Sequence, residues 1–201
     1  MADQTFTAGQ VLTAAQLTTL QANSGLVPIT PTSVNGTGVT LSGNTVSVAA
    51  STTNVSVNGV FTSAYTNYVA FIVGTATTDL DCQLRYRAGG TDLSTSVYQY
   101  ASQGWFGAAA NSAAATAQPG MFLVPSFGSG RLSSNKIDFF SPATASSWKV
   151  SNSNTSFSHS AVGIIVRNGA QNANSTTVFD GFTIVNAGNI TATITVYAYR
   201  T

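Results

Sequence analysis

Six carboxylates, one histidine and one cysteine are nearly all that this 201-residue chain offers for acid–base, nucleophilic or metal chemistry, because Glu is absent. The carboxylates are Asp3, Asp79, Asp81, Asp92, Asp138 and Asp180. Glycoside hydrolysis needs two of them flanking one bond, one with a raised pKa, and nothing in this spacing marks such a pair. Asp79-Leu80-Asp81 has the i, i+2 spacing that can bring two oxygens to Ca²⁺, but no Gly-bearing ligand loop accompanies it. It reads as a turn at the start of a strand. His159 lies among serines in "SNSNTSFSHS", without the G-x-S-x-G context of a nucleophile elbow, and reads as a surface residue of a polar loop. Cys82 alternates with apolar neighbours, which makes it a small core residue. A lone cysteine also excludes an intramolecular disulfide framework. Zinc ligand sets are missing. The Gly-rich "SFGSGR" at 126–131 has neither the Lys-Ser/Thr sequel nor the strand-to-helix context of a phosphate loop. The expectation is a protein that is not an enzyme and uses neither cofactor nor metal.

The elements that must carry any site follow from composition and periodicity. Apolar residues make up 43% of the chain and charged residues only 6%, with a formal net charge of +1. Average soluble proteins carry roughly 25% charged residues. That much apolar surface disfavours disorder, and seven dispersed basic residues build no patch for nucleic acid or an anionic membrane. So charge-poor a surface risks self-association unless much of it is buried in an oligomer or larger lattice, or its hydroxyls and amides are tolerated on a rigid fold with closed edges; the first is the expectation. "MADQTFTAGQ" has no basic or apolar region of a signal peptide. The longest apolar runs, "VAFIV" and "GIIV", are too short to span a bilayer as helices. Synthesis in a cytoplasm without signal-directed export or membrane insertion is expected.

From residue 34 onward the pattern is β. Short apolar or alternating runs are separated by Gly, Asn, Ser and Pro, with strands expected at 38–41, 45–49, 54–60, 68–74, 80–88, 97–100, 121–124, 136–140, 148–150, 161–167, 178–185 and 190–199. In "LDCQLRYRA", Leu80, Cys82, Leu84, Tyr86 and Ala88 share one face. In "ITATITVYAYR", Ile190, Ala192, Ile194, Val196 and Ala198 do the same. Such alternation belongs to antiparallel sheets with one face in the core. The expected fold is all-β, an antiparallel β-sandwich of jelly-roll kind, preceded by a short N-terminal helix and an extended arm. Residues 1–34 form the helix and arm, and 35–201 the head.

Two segments break the strand rhythm. Residues 102–120, "SQGWFGAAANSAAATAQPG", read as a long Ala-rich loop carrying Trp105 and Phe106. Loops of this length are often functional, facing a ligand or receptor, though more often such a segment packs against a neighbouring protomer. Residues 151–160 read as a polar loop carrying Asn154 and His159. These four residues are the candidates for a receptor-facing surface.

At the start of the chain, Thr13-Ala14-Ala15-Gln16 has the spacing of a capping box, with Leu12 and Leu17 placed as a hydrophobic staple. Ala14 to Ala22 are mostly good helix formers, and Asn23-Ser24-Gly25 supplies a stop. A helix this short is marginal alone and must dock on a partner. Pro28 and Pro31 hold the following arm extended.

The stretch "FTAGQVLTAAQLTTLQANSGLVPITPTSV" resembles the amino-terminal segment of tail and appendage proteins of tailed bacteriophages, in which an aromatic-T/S-A-G-x-V-L/V-T-A-A-x-hydrophobic motif precedes a short helix. Phe6, Ala8, Gly9, Val11, Leu12, Thr13, Ala14, Ala15 and Leu17 carry the likeness. Leu17-Thr18 stands where that family typically has Met-Asn. "SVNGVFTSAYTNYVAFIV", "LRYRAGGTDLSTSVYQY" and "FDGFTIVNAGNITATITVYAYR" resemble the β-rich heads of the same proteins. The resemblance implies a virion structural protein, a tail fibre or receptor-binding protein working as a homotrimer. Phe6, Val11, Leu12, Leu17 and Leu20 would then anchor the N-terminal segment to other virion proteins. The head would contact a host-surface glycan or protein, weak single sites being reinforced by trimer avidity. A capsid decoration or baseplate protein is the alternative, followed by a non-viral carbohydrate-binding module.

Overall fold

The computed structural model describes Gly9, Val11, Thr13 and residues 25–200 other than Thr52, Ser147, Asn186 and Ala187. Of the helix expected from Thr13 onward, every residue after Thr13 itself, together with the anchors Phe6, Leu12, Leu17 and Leu20, lies outside the described residues. Val11 is described and is 87% exposed.

Every described regular element is a strand. In chain order they are β1 (Leu26–Ile29), β2 (Ser33–Asn35), β3 (Val39–Ser42), β4 (Thr45–Ser51), β5 (Val55–Asn58), β6 (Asn67–Ala76), β7 (Leu80–Ala88) and β8 (Thr91–Asp92). There follow β9 (Tyr98–Phe106), β10 (Ala109–Gln118), β11 (Met121–Phe127), β12 (Ser133–Phe140), β13 (Trp148–His159), β14 (Gly163–Asn174), β15 (Gly181–Val185) and β16 (Ile190–Tyr199). The larger sheet has ten strands in the order β10-β9-β14-β13-β12-β6-β16-β4-β3, with β1 beside β16. The smaller has six, β11-β7-β15-β5-β2, with β8 beside β7. Pairing within both sheets is antiparallel. The fold is therefore all-β, built from two antiparallel sheets.

Both alternating sequences take the faces their periodicity predicts. Cys82, Leu84 and Tyr86 are buried from the smaller sheet, and Ile190, Ile194, Val196 and Ala198 from the larger. The two sheets share one core. Its centre is aromatic: Phe139 of β12 lies 5.6 Å from Phe182 of β15, and Phe61 lies 5.0 Å from Phe139. Tilted and stacked rings at these distances add to the burial of their large apolar areas. Cys82 belongs to the same core. Burial, with Asp81 close by, pushes its thiol up to about 12.

The arm is extended, as Pro28 and Pro31 require, and it is paired. Leu26 to Ile29 run along Tyr199 to Val196. Pro28 is tolerated there because β1 has a strand on one side only.

Both segments expected as loops are strands. Residues 102–118 form the β9–β10 hairpin, in which Phe106 faces Ala109 across the turn residues Gly107 and Ala108. Gly107 has φ +59°, a backbone state that glycine reaches without a Cβ penalty. Alanine on both faces of β10 hid the period-2 pattern, since neither face reads as the apolar one. Residues 151–159 belong to the twelve-residue strand β13. Its buried face is polar except at Phe157: Ser151, Ser153 and Thr155 are at most 8% exposed. They are satisfied inside, Thr155 donating to Asn135 at 2.9 Å and Gln171 donating to Ser153 at 2.9 Å. A hydrogen-bonded polar inner face leaves no hydrophobic alternation to detect.

Candidate binding trough on the larger sheet

Residues directly opposed on neighbouring antiparallel strands point to the same face. The register of five consecutive strands sets Ser112, Gln103, Asn168, Asn154 and Lys136 in one straight row across the outer face, running from β10 to β12. At roughly 4.8 Å per strand the row spans about 20 Å. Two residues further along each strand, a second row reads Ala114, Ala101, Ala170, Asn152 and Asp138. Two residues the other way, Trp105 stands between Ala110 and Val166. Small alanines beside longer amides leave a hollow of about 700 Å³ over the first two rows. A neighbouring hollow of about 470 Å³ shares Gln103, Ser112 and Asn168 and reaches Trp105. Together they form one open trough.

The close approach of β9 to β14 depends on Gly104. A Cβ there would lie 2.0 Å from the carbonyl oxygen of Val166, far inside any tolerated contact. This glycine seats the hairpin that carries both Trp105 and the trough wall β10.

The amide row is only partly self-satisfied. Asn154 donates its side-chain amide to Oδ1 of Asn168 at 2.5 Å. The side chains of Gln103, Ser112 and Asn152 have no hydrogen-bond partner among the described residues. Charge enters the trough only at the β12 end, and there it cancels. Lys136 Nζ donates to Oδ2 of Asp138 at 2.8 Å, while the Tyr199 hydroxyl donates to Oδ1 at 2.6 Å. The Asp138 hydrogen bond raises the Lys136 pKa above its ordinary value. Burial first, and then Asp138, raises that of Tyr199. Trp105 is 56% exposed at the β9 end, an apolar ring face beside hydrogen-bonding groups. The arrangement can bind an extended, hydroxyl-rich molecule.

The four receptor-facing candidates divide between the two faces. Trp105 and Asn154 belong to the trough. Phe106 points the other way, where the Arg167 guanidinium lies 4.9 Å from its ring centre. His159, at the far end of β13, accepts the Ala161 N–H at 3.0 Å and sits 3.5 Å from Asp79. Phe106 and His159 line a separate hollow of only about 90 Å³. Asp79 closes the loops there, accepting the backbone N–H of Ser129 at 2.8 Å and that of Ser160 at 2.9 Å. Asp81 instead accepts from Ser126 at 2.5 Å and Arg167 at 3.0 Å. Among the described residues no three His, Cys, Asp or Glu side chains are grouped as a metal site.

Sequence reasoning passed over Gln103, Lys136, Asp138 and Asn168; Tyr199 was legible only as an outward-facing residue of the last strand, an interface aromatic or an ordinary exposed cross-strand tyrosine. Lys136 and Asp138 did carry a signal, since their i, i+2 spacing in "NKIDFF" sets both on one face of a strand. The amides carried none until the register aligned them.

No protein-family model and no curated protein matches the chain. Among solved structures it is similar to a protein of unknown function from Shewanella oneidensis MR-1, at 9% identity and a TM-score of 0.32, over 96% of this chain and 97% of that one.

Proposed function

We propose that this chain is a structural protein of a tailed-bacteriophage virion, a tail fibre or receptor-binding protein whose head contacts the host cell surface. The observation that carries the reading is the trough: an open, hydrogen-bonding concavity with an exposed Trp105, carried on sheet strands rather than loops. Binding groups held on strands are positioned without the cost of ordering a loop at the moment of contact. The two sheets on one core are read as a jelly-roll-like sandwich, with the N-terminal segment serving as a docking peptide for other virion proteins. The charge-poor surface supports permanent burial between protomers of a homotrimer, and weak host contacts then gain by avidity. The protein acts by binding rather than catalysis; it is made in the host cytoplasm and ends in the virion.

The test is immunogold labelling of intact particles with an antibody against the 35–201 head. Gold at the tail end supports the reading. Gold spread over the capsid would make this a decoration protein, and its absence from particles would remove the virion assignment altogether.

A further inference from the structure

We infer that the row Ser112, Gln103, Asn168, Asn154 and Lys136 binds an extended, uncharged oligosaccharide laid across the strands, with one ring stacked on Trp105. This deepens the host-surface reading and rests on it for the biological setting, though not for the chemistry. Three observations select the ligand class. The first is the type of group presented: side-chain amides and a hydroxyl, offering both donors and acceptors, suit vicinal hydroxyls that do both at once. Gln103 and Ser112 have no side-chain partner among the described residues, so a ligand satisfies them without breaking a protein bond. The second is the electrostatics. Lys136 and Asp138 neutralise each other at 2.8 Å, which leaves no unpaired charge in the row to recognise a carboxylate, sulfate or phosphate on the ligand. The third is shape. The row crosses five strands in register and spans about 20 Å, so it matches a chain of sugars rather than a single one. An apolar ring face such as that of Trp105 covers the C–H face of a pyranose, while its hydroxyl edge meets the amides. A peptide fits less well, because the outer face offers side chains rather than free backbone N–H and C=O groups.

The full chain is titrated calorimetrically with a ladder of neutral hexose oligomers of increasing length, and with anionic uronic-acid oligomers, at low and high salt. Neutral oligomers are expected to bind more tightly with length until the row is filled, with little effect of salt. Trp105→Ala should weaken that binding about tenfold. Asn168→Leu should weaken it comparably, with unfolding transitions near wild type for both variants. Preference for the anionic oligomers with strong salt dependence would overturn the inference. So would full affinity in the folded Trp105→Ala and Asn168→Leu variants, or no binding by any neutral oligomer. These results leave the particle-labelling experiment unaffected, so a wrong ligand class and a wrong virion assignment are told apart.

Discussion

The hydroxyl of Tyr199 donates to Oδ1 of Asp138 at 2.6 Å across 61 positions of sequence, tying the last strand to β12 over the intervening β6. Val69 of β6, which lies between Asp138 and Tyr197 in the register, is 1% exposed although it faces outward. The contact therefore closes the outer face at one end of the trough and fixes the carboxylate that neutralises Lys136.

Replacing Tyr199 with Phe removes only the hydroxyl. The expected loss is about 1 kcal/mol, the net worth of one such bond, read as a lower denaturation midpoint with an unchanged denaturant slope. An unchanged midpoint would mean that Lys136 and solvent hold Asp138 without Tyr199.

Gly104→Ala forces β9 away from β14, because the added Cβ meets the Val166 carbonyl oxygen at 2.0 Å. Overpacking of this kind costs roughly 1–3 kcal/mol. Amide hydrogen exchange should rise along the β9–β10 hairpin more than in β7 or β15. Uniform exchange throughout would show that Gly104 does not seat the hairpin.

Asp79 gives the fold an acid limit. Burial works against its ionisation, but hydrogen bonds from the Ser160 side chain and from the Ser129 and Ser160 backbone, with the charge of His159, outweigh it and hold the carboxyl at about 2 instead of 3.8. The folded state thus favours the ionised form. Its contribution is complete above 3.8 and is lost as pH falls towards about 2. Asp79→Asn should lower stability at neutral pH and flatten the decline across that interval. A parallel decline in both proteins would assign the acid limit to other carboxylates.

Cys82 is 1% exposed and its thiol is pushed up to about 12. A thiol of this kind is protonated and shielded at neutral pH. A chromogenic disulfide reagent should label it only in denaturant, at a rate set by opening of the core. Rapid labelling of the native protein would contradict its place between the sheets.

Composition and local pattern determined the class of this protein. Period-2 alternation in "LDCQLRYRA" and "ITATITVYAYR" fixes which side chains face the core, because a strand has two faces and water selects between them. The low charge and the scarcity of ionisable groups were equally plain, as was the extended arm dictated by Pro28 and Pro31. Hidden were the strands whose inner faces are polar or made of alanine. Ser151, Ser153 and Thr155 become core only once Asn135 and Gln171 arrive from other strands to satisfy them. The same holds for the trough. Ser112, Gln103, Asn168, Asn154 and Lys136 are scattered over the sequence and unremarkable one by one. Register alone lines them up, and register is set by long-range pairing that no local window of sequence contains.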